Sequence, residues 1–208
     1  NSAKLNGVAA TNLDWSTFST ASGLDITTEL AALNATGYGA LVAGVDLAIK
    51  GDVALDVLSG TLVAQTAFDI KLGKVKSADL PSGDTKDADV MTLTLLGANV
   101  FVGSGGSLLD NNGGAPTPTV YSDDTVKNGT LGFRASVNTL TLVSVKDRGA
   151  TAATTDDTNY LGVALDTFAG DLVGLESVLA FHGYGVDAVL NSAKLNGVAA
   201  TNLDWSTF

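Results

Sequence analysis

The stretch Leu62-Val-Ala-Gln-Thr-Ala-Phe-Asp-Ile-Lys-Leu72 decides the fold. Phe68, Ile70 and Leu72 fall on one side of an extended chain, and Gln65, Asp69 and Lys71 on the other. That period of two is what a half-buried strand requires, because successive side chains point to opposite faces. The same alternation recurs at 41–50, 52–58, 90–102, 130–137, 139–146, 160–166 and 172–189. Most of these runs are too short and too β-branched for helices. Turn chemistry separates them: Lys50-Gly51-Asp52, Ser59-Gly60, Asn112-Gly113 and Asn128-Gly129, where Gly and Asn tolerate positive φ. One segment, 27–34 (TTELAALN), reads as a short helix with Thr27 as cap, Glu29 in the first turn and Gly37 as the stop. Polar connections run over 77–89, over 107–124 with Pro116 and Pro118, and over 147–159. The expected fold is all-β: an elongated, mainly antiparallel sheet or sandwich, or an irregular β-solenoid, with at most one short helix.

Outward from those strands, the two ends of the chain are the same. Residues 1–18 read NSAKLNGVAATNLDWSTF, and residues 191–208 repeat those eighteen letters unchanged, at an offset of 190. Chance does not produce such a match, and a unit of about 190 residues is an ordinary domain size. The chain is therefore read as one tandem unit, 1–190, followed by the start of the next, 191–208; an introduced terminal duplication is the alternative. The repeated piece carries Leu5, Val8, Leu13 and Trp15, and again Leu195, Val198, Leu203 and Trp205. These eight apolar groups need burial, and they are the expected seam between neighbouring units, which in stacked arrays carries much of the stability.

Composition narrows the function. The 208 residues are 45% hydrophobic and 16% charged, with a net charge of −11. Such a charge repels phosphate backbones and anionic lipid, so nucleic acid is excluded as a partner and membrane insertion is not expected. Of the 22 acidic residues only Glu29 and Glu176 are glutamates. The remaining aspartates suit turns and oxygen-ligand cation sites in loops. Cysteine is absent, so neither disulfides nor thiolate metal sites contribute.

The segments Val100-Phe-Val-Gly-Ser-Gly-Gly-Ser-Leu108, Tyr121-Ser-Asp-Asp-Thr125, Gly129-Thr-Leu-Gly-Phe133 and Tyr160-Leu-Gly-Val163 resemble a repeating unit of giant bacterial cell-surface or secreted proteins. The resemblance covers roughly residues 41–190. It implies a β-rich tandem segment outside the cell, with a mechanical or adhesive role and no catalytic residue. The calcium-binding nonapeptide of the toxin-repeat proteins is absent.

Catalytic readings find little footing. A Ser-His-Asp arrangement needs a histidine beside a nucleophile; the sole histidine is His182, and no G-x-S-x-G elbow accompanies it. Gly103-Ser-Gly-Gly-Ser107 lacks the Lys-Ser/Thr ending of a phosphate loop, and Gly183-Tyr-Gly185 lacks the rest of a dinucleotide fingerprint. The chain is not expected to be an enzyme. The chemical signal worth carrying is the aspartate-rich loops: Asp110, Asn112, Asp123 and Asp124, with Asp156 and Asp157 elsewhere. Calcium takes six to eight oxygens, which paired carboxylates and loop carbonyls can supply. Asn34-Ala-Thr36 and Asn128-Gly-Thr130 fit a glycosylation sequon, which carries little weight in a bacterial protein.

The leading expectation is thus a structural repeat of an extracellular filament or adhesin, associating head to tail with copies of itself. Two rivals stand beside it. One is a carbohydrate- or ligand-binding adhesin module with Trp15, Tyr121 or Tyr160 as stacking platforms. The other is an outer-membrane β-barrel, which the roughly ten-residue alternating strands suit but an aromatic content of 6% does not.

Overall fold

The computed structural model describes residues 2–34, 41–111, 121, 123–149, 151 and 154–208. The helix stop at Gly37, the Thr36 of the first sequon, the Asn112-Gly113 turn, Pro116, Pro118 and Ser122 lie outside the described residues. In chain order the elements are β1 (Ala3–Leu5), β2 (Val8–Ala10), α1 (Thr27–Leu33), β3 (Val45–Val57), β4 (Leu62–Val75), β5 (Ala88–Ser104), β6 (Ser107–Leu109), β7 (Thr125–Lys127), β8 (Leu131–Asp147), β9 (Thr158–Val173), β10 (His182–Leu195) and β11 (Val198–Ala199). The fold is all-β, as the alternation required, with α1 the one α-helix among the described residues.

Seven strands form one antiparallel sheet in the order β11-β10-β9-β8-β5-β4-β3, while β1-β2 and β6-β7 are separate two-stranded pieces. The sheet is an up-and-down meander, interrupted where the β6-β7 hairpin is inserted between β5 and β8. It is open, with β3 at one edge and β10-β11 at the other, so the barrel alternative does not describe it. β5 and β8 are 17 residues each, about 55 Å at about 3.3 Å per residue.

Three expected boundaries change, one of them because the runs 130–137 and 139–146 continue as the single strand β8. Lys50-Gly51-Asp52 is not a turn: the three residues pair with Asp69, Phe68 and Ala67 in the middle of β3. Gly51 leaves space beside the Phe68 ring, whose edge would lie 3.6 Å from an added Cβ. The run 172–189 is two strands, broken where Glu176 Oε1 accepts from the Gly174 N–H at 3.0 Å. The expected turn at Ser59-Gly60 does join β3 to β4, with Leu58, Ser59 and Gly60 all at positive φ. Gly60 is also a point of close approach, since an added Cβ would strike the Gly106 carbonyl at 1.9 Å.

Among the described residues, buried apolar side chains gather in two places. At one end, the β6-β7 hairpin packs on β3, β4 and β5, and Phe101 and Val63 there are wholly buried. At the other, Leu80 from the 76–87 connection and Leu203 close over Ala88, Val145, Tyr160 and Ala193, with Trp205 and Phe208 packed alongside.

Between these two cores the opposite face of the sheet is broadly apolar. The register places Ile49, Ile70, Leu93, Leu142, Val163 and Leu190 in one row across six strands. Two residues along each strand, Phe68, Leu95, Leu140 and Leu165 form a parallel row. The residues of the Leu80–Leu203 core alternate with these and so occupy the other face. Ile49 and Leu190 remain 43% and 53% exposed. The total accessible surface is 12808 Å² for 21.0 kDa, against about 9,000 Å² for a compact monomer of that mass.

Candidate functional site

From Ser2 onward the two copies of the repeated segment adopt the same local structure; Asn1 lies outside the described residues. Each forms a tight hairpin, with Leu5 opposite Val8 and Leu195 opposite Val198. The hairpin turns on an Asn-Gly pair at positive φ, Asn6-Gly7 and Asn196-Gly197, the residue pair such turns favour because both central positions need that conformation. Each then makes an Asx turn: Asp14 accepts from the Ser16 N–H, and Asp204 from the Ser206 N–H, both at 2.9 Å. The rings pair alike, Trp15 with Phe18 at 5.5 Å and Trp205 with Phe208 at 5.6 Å.

What differs is the surroundings. In the C-terminal copy residues 191–195 are the end of β10, Leu203 is buried, and Trp205 lies over Gly162 of β9, where an added Cβ would meet the indole at 2.8 Å. Within the copy, Asn191 Nδ2 donates to the Leu203 carbonyl at 2.8 Å and Asn191 Oδ1 accepts from Trp205 Nε1 at 3.0 Å, fixing the segment's own shape. A groove of about 770 Å³ runs alongside, lined by Thr141, Val143, Gly162, Asn191, Leu203 and Trp205 among others.

In the N-terminal copy β1 and β2 pair only with each other. Leu5 and Val8 are both 69% exposed, and Leu13 is exposed as well. This copy looks forward along the chain: the Trp15 N–H donates to the Leu41 carbonyl at 3.0 Å, Asn34 Nδ2 to the Trp15 carbonyl at 2.8 Å, and Asn12 Nδ2 to Asp46 Oδ1 at 2.6 Å. The C-terminal copy faces backward through the Leu203 side chain and the face of the Trp205 ring, whereas the N-terminal copy faces forward through the Trp15 backbone N–H and C=O and the Asn12 amide. One segment can therefore hold both sets of contacts at once. Of the eight expected seam residues, Leu203 is buried and Trp205 packs against the core, whereas Leu195 and Val198 are exposed like Leu5 and Val8.

The aspartates of the cation reading separate into two groups. Asp110 follows the last residue of β6, and Asp123 and Asp124 precede the first of β7. Because Leu109 pairs with Thr125, the next step outward brings Asp110 towards Asp124. The three carboxylates each place an oxygen within 4.8 Å of the others. Asp124 is 6% exposed; burial first, then the Asp110 and Asp123 charges, push its carboxyl above the usual range. Both Asp123 carboxylate oxygens are buried without a hydrogen-bond partner. Asn112 lies outside the described residues. Asp156 and Asp157 are engaged elsewhere: Asp156 accepts from Thr151 N and Oγ1 at 2.8 and 2.9 Å, and Asp157 pairs with Lys146 Nζ at 3.0 Å.

His182 sits in a cross-strand ionic row. Its Nδ1 is 2.6 Å from Asp171 Oδ1, and Arg134 Nε donates to Asp171 Oδ2 at 2.7 Å; the three residues are direct register partners on β10, β9 and β8. Gly103-Ser-Gly-Gly-Ser107 is the turn from β5 into β6. No helix N-terminus follows it to face a phosphate. Of the proposed stacking platforms, Tyr160 is a core residue at 5% exposed and cannot stack on a ligand, whereas Tyr121 is exposed. Compared with protein-family models, curated proteins and solved structures, the chain matches none.

Proposed function

We propose that this chain is a structural repeat of an extracellular bacterial filament or adhesin, joined head to tail to copies of itself through the segment 191–208, which is at once the last part of one unit and the first of the next. One observation carries the reading: the same eighteen residues pack backward on the sheet at one end, through Leu203 in the core and the Trp205 ring over Gly162, and bond forward to residues 34, 41 and 46 at the other. In an array each such segment would make both sets.

Two further features support it. Among the described residues, β3 and the 182–192 part of β10 are long edge strands paired to a neighbouring strand on one side. An edge of this kind is a template for another strand. The apolar face and the surplus accessible surface also fit a unit completed by neighbours, since a contiguous exposed apolar area of this kind marks an interaction surface. Contacts that repeat without closing generate filaments.

The test is a chain extended by one further 190-residue unit. Its units should unfold cooperatively, at a higher temperature than the 208-residue chain, because each interface adds a nearest-neighbour contribution. Identical melting of one and two units, with independent transitions in the longer chain, would refute the junction.

A further inference from the structure

We infer that Asp110, Asp123 and Asp124 form a calcium site at the open end of the β6-β7 hairpin. The inference stands apart from the head-to-tail reading and does not depend on it.

The strand register explains why the three acids meet. β6 and β7 are paired through Leu109 and Thr125, and Asn111 Nδ2 donates to Thr125 Oγ1 at 2.8 Å, tying the two loop stems together. Asp110 and Asp124 are thereby held across from one another, with Asp123 beside them. A turn decorated with solvated aspartates would turn them outward. Here the chain does the opposite: Asp124 is nine-tenths buried and both Asp123 oxygens are out of solvent.

Buried carboxylates are normally paired or hydrogen-bonded, because leaving one ionised and unpartnered in a low-dielectric place is very costly. Asp123 has no hydrogen-bond partner, and the charges acting on Asp124 are those of two more carboxylates. The unpartnered Asp123 oxygens, out of solvent and facing the Asp124 and Asp110 carboxylates, are an arrangement that a bound cation resolves.

The donor set indicates which cation. All three ligands are carboxylate oxygens, the chain holds no cysteine, and its single histidine is at position 182 on another strand. Oxygen-only sites select hard cations over zinc or copper. Three carboxylates can supply up to six oxygens, the number calcium begins from, and oxygens within 4.8 Å of one another fit the reach of two Ca–O bonds of about 2.5 Å each. Magnesium prefers to keep several waters and uses one or two carboxylates. The site sits on the β6-β7 hairpin that packs on β3, β4 and β5, over the buried Phe101 and Val63.

The experiment uses the 208-residue chain, titrated calorimetrically with CaCl2 and separately with MgCl2 at matched ionic strength, beside Asp123→Asn, Asp124→Asn and the control Asp156→Asn. The expected result is one saturable calcium per chain, weakened at least tenfold in Asp123→Asn and Asp124→Asn and unchanged in Asp156→Asn, with magnesium binding weaker. A melting series separates the site from a folding defect. In chelator, the two asparagine variants should melt no lower than the unaltered chain because a repulsion has been removed, and calcium should raise only the unaltered chain and the control. Absence of saturable calcium binding, or binding undiminished in both variants, overturns the assignment, as does magnesium binding of equal affinity.

Discussion

At the scale of the residue, the row Arg134–Asp171–His182 shows how pairing across strands sets a titration. The hydrogen bond with His182, then that from Arg134, holds the Asp171 carboxyl below the usual carboxylate range. A group whose folded pKa is depressed adds stability that is present above its unfolded pKa, about 3.9, and is lost as pH falls through the folded value. Asp171→Asn should therefore be less stable than the unaltered chain at pH 6, with the difference closing as the pH is taken well below 3.9. A constant gap in denaturant midpoints across that range would show that the charge is not what stabilises the row. None of this was legible beforehand, because the three residues lie 37 and 11 positions apart in the chain and only register brings them together. Gly162 is a similar case. Nothing in Leu161-Gly162-Val163 announces that a tryptophan from position 205 will lie on it.

At the scale of the element, the alternating pattern located most of the strands, because period two is a property of the extended backbone and needs no partner. It fails at Lys50-Gly51-Asp52, where the glycine lies inside β3, at ordinary contact distance from the Phe68 ring of β4, rather than in a turn. It fails again over 172–189, where a strand break is made by a few backbone contacts to Leu175 and Glu176. The two copies of the repeated segment sharpen the point: identical sequence yields identical hairpins and Asx turns, yet only the C-terminal copy is part of the large sheet. Deleting residues 191–208 should lower unfolding stability by about 3–5 kcal/mol or more, the usual cost of losing a large core aromatic, here compounded by loss of Leu203 and the end of β10. Deleting residues 2–18 should cost less, because that copy lies outside the large sheet and loses hydrogen bonds to residues 34, 41 and 46 rather than buried apolar side chains. Denaturant unfolding of the two truncations gives the comparison, and equal losses would contradict the asymmetry.

At the scale of the whole molecule, the apolar face is the feature that most constrains behaviour in solution. An isolated unit that leaves the Ile49-to-Leu190 row uncovered should self-associate at roughly micromolar to millimolar concentrations, where exposed apolar surface and open strand edges drive association. Leu93→Lys with Leu142→Lys, two adjacent positions at the centre of the row, should shift sedimentation toward the monomer. The control Thr92→Lys with Thr94→Lys lies on the opposite face, because those positions alternate with Leu93, and should leave association unchanged. A strictly monomeric unaltered chain across that range would show that the face is tolerated uncovered. The seven-stranded meander also explains why the edge strands matter: an open sheet has two edges wherever the chain runs, and only further strands or side-chain defences remove them.

The sequence by itself determined the all-β class, the short helix near residue 27, most strand positions and the 190-residue period, because each is written in local periodicity, turn residues or direct identity of letters. Tertiary structure alone decided that the sheet stays open, that one copy of the repeated segment is built into it while the other pairs with itself, and that Asp110 meets Asp123 and Asp124 while Asp156 and Asp157 bond elsewhere. The physical reason is common to all three. Pairing register and burial depend on which distant segments come into contact, and an aspartate or a tryptophan carries no local mark of the neighbour that long-range pairing will give it.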